Sequence, residues 1–298
     1  MRVASKTIYD SAIRNLSMTS SGMFNANEVV STSKRINNLS DDPVGLVAIL
    51  GLRSSISNLK QMERNITMGE SWLTASESAL TQVNNILTAA KELTVAMGSA
   101  NINDSQRVGN AGLVDGYLKE IITLANSSIG GRYVFGGTNT NTIPFSLDTA
   151  ETQVAYSGND TAFSINIGKD SAVPVGRDGK DVFGADWDDA NIFRTFIDLK
   201  ASLEAGDISG IQDAMTKLDA HMKNVNANIS DIAGKTIRLN VKKEIIADLK
   251  ITDTARMSEL EDADLTEAVI NLKSKELAYN AALSSSSKLM GLSLVNFI

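Results

Sequence analysis

No cysteine occurs anywhere in the 298 residues. That absence removes disulfides, cysteine-ligated zinc, iron–sulfur clusters and thiol nucleophiles together. Histidine occurs once, at His221, so a Ser-His-Asp triad or a histidine metal site would have to use that residue. His221 lies in KLDAHMKNVNANI, a helical pattern with no nucleophile motif around it, and reads as an ordinary helix residue. Proline occurs three times and aromatic residues make up 5%. Both shortages fit long helices with thin apolar seams better than a thick globular core.

Three further absences narrow the setting. No run of about 18 apolar residues is present, so no membrane span is expected. No Lys/Arg-rich stripe stands out, and the net charge is −7 with a pI near 4.9. Nucleic acid is therefore not an expected partner, because phosphate neutralisation needs clustered positive charge. The N-terminal MRVASKTIYDSAIRNLSMTSSG has no apolar segment of roughly 7–15 residues, so a cleaved secretory signal is not expected. By itself this points to the cytoplasm, with a signal-free route out of the cell left open.

What is present is a heptad. Leu52, Leu59, Ile66, Leu73, Leu80 and Leu87 recur at every seventh residue. Met62, Val83, Ala90 and Met97 occupy a second seam position, with Ser55, Gly69 and Ser76 as its weak points. That period predicts a helix lying along another helix, roughly 50 Å long from Leu52 to Leu87 at about 1.5 Å per residue. A second stripe, Leu265, Val269, Leu272, Tyr279, Leu283 and Met290, closes the chain, interrupted by Glu276 and Ser286. Ile208–Ile232 and Ile237–Leu260 also read as helical, with Gly234 as a candidate break.

The middle differs. From Gly130 to Gly184 the chain is rich in Gly, Thr, Asn and Asp. Gln153–Ser157 and Thr161–Ile167 alternate with period two, and SGND at Ser157–Asp160 between them is turn chemistry. Val173–Val175 is a further candidate strand. The fold expected is mainly α: a long antiparallel helical bundle or coiled-coil rod formed by the N- and C-terminal segments, with an inserted small β-rich domain. The expected divisions are 1–44 with 256–298 (terminal helical assembly segments), 45–130 with 190–255 (helical bundle) and 131–189 (β-rich outer insertion). The outermost segments are weakly amphipathic, and each alone buries too little apolar surface to offset the entropy of ordering it. They are expected to lack internal partners and to fold on assembly.

Candidate chemistry is sparse. Asp41-Asp42 could be a carboxylate pair for metal or acid–base work, but no calcium-loop spacing or nearby histidine supports it. The structural reading is more specific: Asp42 as N-cap and Pro43 as the first helical residue, launching the heptad helix. The acidic run Glu259, Glu261, Asp262 and Asp264 lacks the glycine turn of a calcium loop, and reads as a solvated helix face or a helix start at Asp264. Gly130-Gly131 and Gly136-Gly137 match no phosphate-loop pattern and read as a turn-rich junction. No catalytic, cofactor or metal site is expected.

Both ends also carry a resemblance. SKRINNLSDDPVGLVAILGLRSSISNLKQMERNITMGESWLTASESALTQVNNIL resembles the N-terminal region of the bacterial flagellin superfamily, with its RIN and DDP-type segments before a long helix. MSELEDADLTEAVINLKSKELAYNAALSSSSKLMGLSLVNFI resembles the hook–filament junction group of that superfamily (FlgL type, hook-associated protein 3), as does GRYVFGGTNTNTIPF at the entry to the middle segment. The resemblance covers about half the chain and implies a structural adaptor between the hook-associated zone and the filament, with no catalytic site and no cofactor. It implies export to the extracellular flagellum without a cleaved signal. The partners it implies are flagellin, a FlgK-type hook-associated protein, further copies of the chain in a ring, and a FlgN-type export chaperone. Flagellin itself, the filament subunit, is the alternative reading. On this basis Leu52, Leu59, Ile66, Leu73, Leu80 and Leu87 are expected to hold the intrachain bundle. Ile8, Ile13, Leu16, Leu283, Leu289, Leu292, Leu294 and Phe297 are the candidates for burial between subunits.

Overall fold

A computed structural model describes residues 2–99, 101–168, 170–184, 187 and 190–295, with the side chains of 2–5, 8 and 289–295 outside the description. Among the described residues the chain is mainly helical, with three two-stranded antiparallel ribbons in its middle. It divides into two compact units, Met1–Leu59 with Asp248–Ile298, and Lys60–Ala247.

The first unit holds α1 (Arg2–Thr32), the first turns of α2 (Pro43–Met97), the last turns of α6 (Ile208–Glu261) and α7 (Leu265–Val295). α1 and α7 pack along one another. They run antiparallel: Lys34 bridges to Asp262, and Gly22 lies against Lys275. Each terminal helix thus has a partner within the chain, which corrects the expectation that they have none. Their seam is thin. On α1 Ala12, Leu16, Thr19, Met23, Ala26 and Val30, at alternating steps of four and three, are turned from solvent, but only Ala26 is fully buried and the others are half-buried. On α7 the inward positions are Ala268, Leu272, Tyr279, Ala282 and Ser286.

The second unit has a thicker core. On α2, Ile66, Leu73, Leu80 and Leu87 are wholly buried, and Val83 and Ala90 fill the second seam position. Ser76 is buried there too, its hydroxyl donating to the Trp72 carbonyl at 2.9 Å. Gly69 makes room for the β-rich segment: a Cβ at that position would lie 3.2 Å from Val175 Cγ1. α6 supplies Ile211, Ala214, Leu218, His221, Val225, Asn228 and Ile232, buried at alternating steps of three and four. It continues unbroken through Gly234, because one exposed glycine costs a helix only about 1 kcal/mol. Within this unit α2 and α6 run antiparallel, tied by Glu70–Lys243 at 2.7 Å and Lys91–Asp219 at 2.5 Å. α3 (Asp104–Ala125) opens with an Asn103/Gln106 capping box and packs along α5 (Ile192–Ala205), which closes at left-handed Gly206.

The β segment pairs β1 (Ser128–Ile129) with β2 (Arg132–Tyr133), β3 (Phe145–Leu147) with β4 (Val154–Tyr156), and β5 (Ser164–Gly168) with β6 (Ser171–Pro174). Gly130 and Gly131 have φ of 56° and 79°, as a tight two-residue hairpin turn requires. The period-two runs on either side of SGND do not pair with each other, as their spacing suggests. Asn159 instead turns its carboxamide back to Thr138, accepting from its N–H at 2.8 Å, and β4 and β5 enter different ribbons. Phe135, Phe145, Phe183 and Phe193 form one aromatic cluster beneath, with centroid separations of 5.1–5.9 Å. α4 (Gly179–Phe183) carries Phe183 into it.

Candidate assembly interface

The sequence motifs converge at one place in the first unit, where the turn from α1 to α2 meets the turn from α6 to α7. Ser33 adopts a left-handed φ of 58° and takes the chain out of α1. The next residues form a short antiparallel ladder with the end of α6: Arg35 N–H donates to the Glu261 carbonyl at 2.7 Å, and Ala263 N–H to the Ser33 carbonyl at 3.0 Å. Arg35 also donates its guanidinium to the Leu260 carbonyl at 2.8 Å.

Asp41 and Asp42 have separate structural tasks. The Asp41 carboxylate accepts the N–H groups of Asn37 (3.1 Å) and Asn38 (2.8 Å), closing the loop. The Asp42 carboxylate accepts Gly45 N–H at 2.8 Å, its carbonyl accepts Leu46 N–H at 2.9 Å, and α2 begins at Pro43. That is N-cap geometry, with proline where a missing N–H costs nothing. Ile36 is buried under this turn, and a Cβ at Gly45 would lie 2.8 Å from Ile36 Cδ1.

The acidic run resolves residue by residue. Asp264 Oδ1 accepts Thr266 N–H at 2.8 Å and so caps α7. Glu261 is not on a solvated face: it is only 3% exposed, and its carboxylate is held by Lys34 and Arg53, each at 2.5 Å. Periodicity gave no warning of this, because a carboxylate is buried only where cations from distant segments meet it, and Lys34 and Arg53 are more than 200 residues away. Among the described residues no group of three or more acidic or histidine side chains could hold a metal ion, and no helix is long and apolar enough to cross a membrane.

Displaced acidities elsewhere have packing causes. Burial lowers the His221 imidazole to about 4, with Lys217 adding repulsion, and its Nε2 lies 2.8 Å from Thr195 Oγ1 on α5. Hydrogen bonds from Lys200 and then Lys119 lower Asp115, which ties α3 to α5. Burial raises Asp178, the cap of α4, beside the Tyr156 hydroxyl.

The first unit leaves many large apolar side chains exposed. α1 exposes Tyr9, Ile13, Met18 (71%) and Phe24; α7 exposes Leu265, Val269, Ile270, Leu277 (72%) and Leu283. The start of α2 adds Val44 (82%), Val47 and Leu50, with no charged residue from Pro43 to Leu52. Exposed large apolar residues in this number are candidates for an interaction surface. Of the residues expected to be buried between subunits, Ile13 and Leu283 are exposed and Leu16 is half-buried on the α1 seam. Ile8, Leu289, Leu292 and Leu294 belong to α1 and α7 with side chains outside the description, and Phe297 lies outside the described residues. In the bundle seam Leu59, Ile66, Leu73, Leu80 and Leu87 are buried, while Leu52 is half-buried.

Comparison with known proteins agrees with this architecture. Residues 3–140 match the bacterial flagellin N-terminal helical region. The chain is 23% identical over 316 residues to the flagellar hook-associated protein 3 of Salmonella typhimurium, covering 99% of this chain and 98% of that protein. The Legionella pneumophila flagellar hook associated protein-3 superposes with a TM-score of 0.64 at 14% identity, covering 71% of this chain and 98% of that one. Bacillus cereus FlgL gives 0.59 at 20% identity, covering 68% and 97%. The two structures establish a shared fold; the chain is thus similar to the flagellin N-terminal helical region over residues 3–140 and to hook-associated protein 3 from end to end.

Proposed function

We propose that the chain is a structural adaptor of the bacterial flagellum, joining the hook-associated zone to the flagellin filament through its terminal helices. Its full-length similarity is to hook-associated protein 3 rather than to the filament subunit, which favours the junction over flagellin itself. The observation that carries the mechanism is the apolar surface left in solvent on α1 and α7: their shared seam is thin and mostly half-buried, while Tyr9, Ile13, Met18, Phe24, Leu265, Val269, Ile270, Leu277 and Leu283 are exposed. Such a pair gains its main apolar burial only when neighbours cover it. Ile8, Ile13, Leu16, Leu283, Leu289, Leu292, Leu294 and Phe297 are assigned to that intersubunit burial, with Tyr9, Met18, Phe24 and Leu277 added from the exposed face. The neighbours are further copies in a ring, a FlgK-type protein on one side and flagellin on the other. Before assembly a FlgN-type chaperone holds the C-terminal region, and export proceeds without a cleaved signal. The chain works by binding and carries out no catalysis.

The test is Leu277→Lys with Leu283→Lys. Both sites are exposed, so the monomer should melt within about 0.5 kcal/mol of the parent. Addition to isolated hook structures, followed by electron microscopy, should show no incorporation and no seeding of flagellin. Normal incorporation would refute the assignment of this face.

A further inference from the structure

One flank of α6, in the second unit, carries polar residues that its apolar seam does not require. His221, Asn224, Asn228 and Asp231 follow one another at steps of three, four and three, and Arg238 and Lys242 continue the row. Each meets the chain that returns from β5 to α5, and in order. Lys242 stands beside Gly168, where a Cβ would lie 3.9 Å from its Nζ. Arg238 donates to Ser171 Oγ at 3.5 Å. Asp231 and Asn228 hold Arg177. Asn224 donates to the carbonyls of Asp181 (2.9 Å) and Val182 (3.1 Å), and His221 meets Thr195. Falling numbers on α6 thus meet rising numbers on the returning segment, over roughly 30 Å of helix.

The same segment is also held by apolar contact. Ile165, Ile167, Val173 and Val175 are buried, and Phe163 meets Trp72 edge-on at 4.8 Å. The notch at Gly69 admits Val175, but apolar contact has no direction, and a single notch leaves rotation about it open. Hydrogen bonds are directional. Arg177 makes the most of them in the row. It is buried, and its guanidinium donates to Asn228 Oδ1 at 2.9 Å, to the Asn228 carbonyl at 3.1 Å and to the Asp231 carboxylate. Its own carbonyl accepts Gly137 N–H at 3.0 Å, which joins it to the loop after β2. The neighbouring turns of α6 place Ile232 and Lys235 on one side and Asn224 and Ala227 on the other, so neither offers a carboxylate. A buried guanidinium without its acceptors is costly, and a displaced segment loses most at this residue.

We propose that Arg177 is a positioning residue that fixes the angle at which the β segment sits on the α2–α6 pair. Apolar contact supplies adhesion; the polar row supplies the register. Without Arg177 the segment stays attached and pivots about the Gly69 notch. This is a property of the second unit and stands independently of the assembly role.

The absence of cysteine lets spin labels be placed by substitution alone. Thr142→Cys with Asn240→Cys reports the β segment against α6, and Ser78→Cys with Asn240→Cys reports α2 against α6; all three sites are exposed. Distances are read by double electron–electron resonance on the full chain. Arg177→Met should widen the 142–240 distribution about twofold or more and leave 78–240 as in the parent. Asn228→Leu with Asp231→Leu, which removes the side-chain acceptors instead, should do the same. Lys91→Met, which removes a tie between α2 and α6 away from the row, should change neither. An unwidened 142–240 distribution with either the Arg177 or the acceptor variant overturns the proposal, because apolar contact would then set the angle alone. Widening of both pairs overturns it too, since Arg177 would then hold the whole unit rather than position one part. So would a 142–240 distribution in the parent that is already as broad as in the variants.

Discussion

His221 gives the chain a pH dependence whose sign and size follow from its position. The imidazole is buried in the α6 seam and contacts the Thr195 hydroxyl, and burial lowers it from 6.5 to about 4. The folded state therefore holds it neutral, while the unfolded chain protonates it near 6.5. Its contribution is present in full above about pH 6.5, falls as the pH drops, and is gone below about 4. The 6.5-to-4 difference is worth about 3 kcal/mol, of which about 2.5 is lost by pH 4.5. Carboxylates titrate over the same range, so the parent must be compared with a variant. His221→Leu removes the titrating group at similar volume, and Thr195 keeps its bond to the Asn191 carbonyl. Trp72 and Trp187, the only tryptophans, both belong to the 60–247 unit, so fluorescence reports on the unit that contains His221. Urea unfolding at pH 7.5, 6.5, 5.5 and 4.5 should show the variant gaining on the parent steadily below pH 6.5, by about 2.5 kcal/mol at pH 4.5. A stability difference that stays constant across this range would refute the assignment of a buried neutral imidazole.

Two further outcomes follow from the geometry. Asp42→Ala removes the side-chain acceptor for Gly45 N–H and should cost about 0.5–2 kcal/mol, read as faster exchange over the first turns of α2 with the tryptophan-reported transition unmoved. Leu80→Ala, at a wholly buried seam position, should cost about 2–5 kcal/mol in that transition, and a loss under 1 kcal/mol would contradict the seam.

The α2 heptad was legible because its residues are apolar and every one from Leu59 to Leu87 faces inward. α6 has an equally regular seam, but His221 and Asn228 stand in it, and periodicity treats polar residues as gaps. They are tolerated because partners from other elements satisfy them: Thr195 for His221, and Arg177, whose guanidinium donates to Asn228 Oδ1 at 2.9 Å. α7 shows the opposite failure. Its large residues repeat at helical spacing, but Leu272 and Tyr279 are half-buried while Leu265, Val269 and Leu283 are exposed, so the pattern identifies a helix without separating its inner from its outer face. Pairing within the β segment could not be read from alternation, because Asn159 and its neighbours choose the connections through side-chain bonds. Glu261 could not be read at all, since its environment is made by residues at the other end of the chain.

The thin seam of α1 and α7 connects these points. Had Leu265, Val269 and Leu283 faced α1, the terminal pair would bury several leucine-sized side chains, each worth about 1.5–3 kcal/mol, and would be stable alone. It would then present a largely polar outside, with little to gain from a neighbour. Ala26, Ala268, Ala282 and Ser286 instead share the inner face with half-buried Leu16, Met23, Leu272 and Tyr279, and other large side chains stay exposed. At the end where the two helices meet the rest of their unit, Lys34 and Arg53 hold the buried Glu261 carboxylate. The thin inner seam and the exposed apolar residues are thus one arrangement: apolar area that the pair does not bury itself is the area that the proposed assembly would cover.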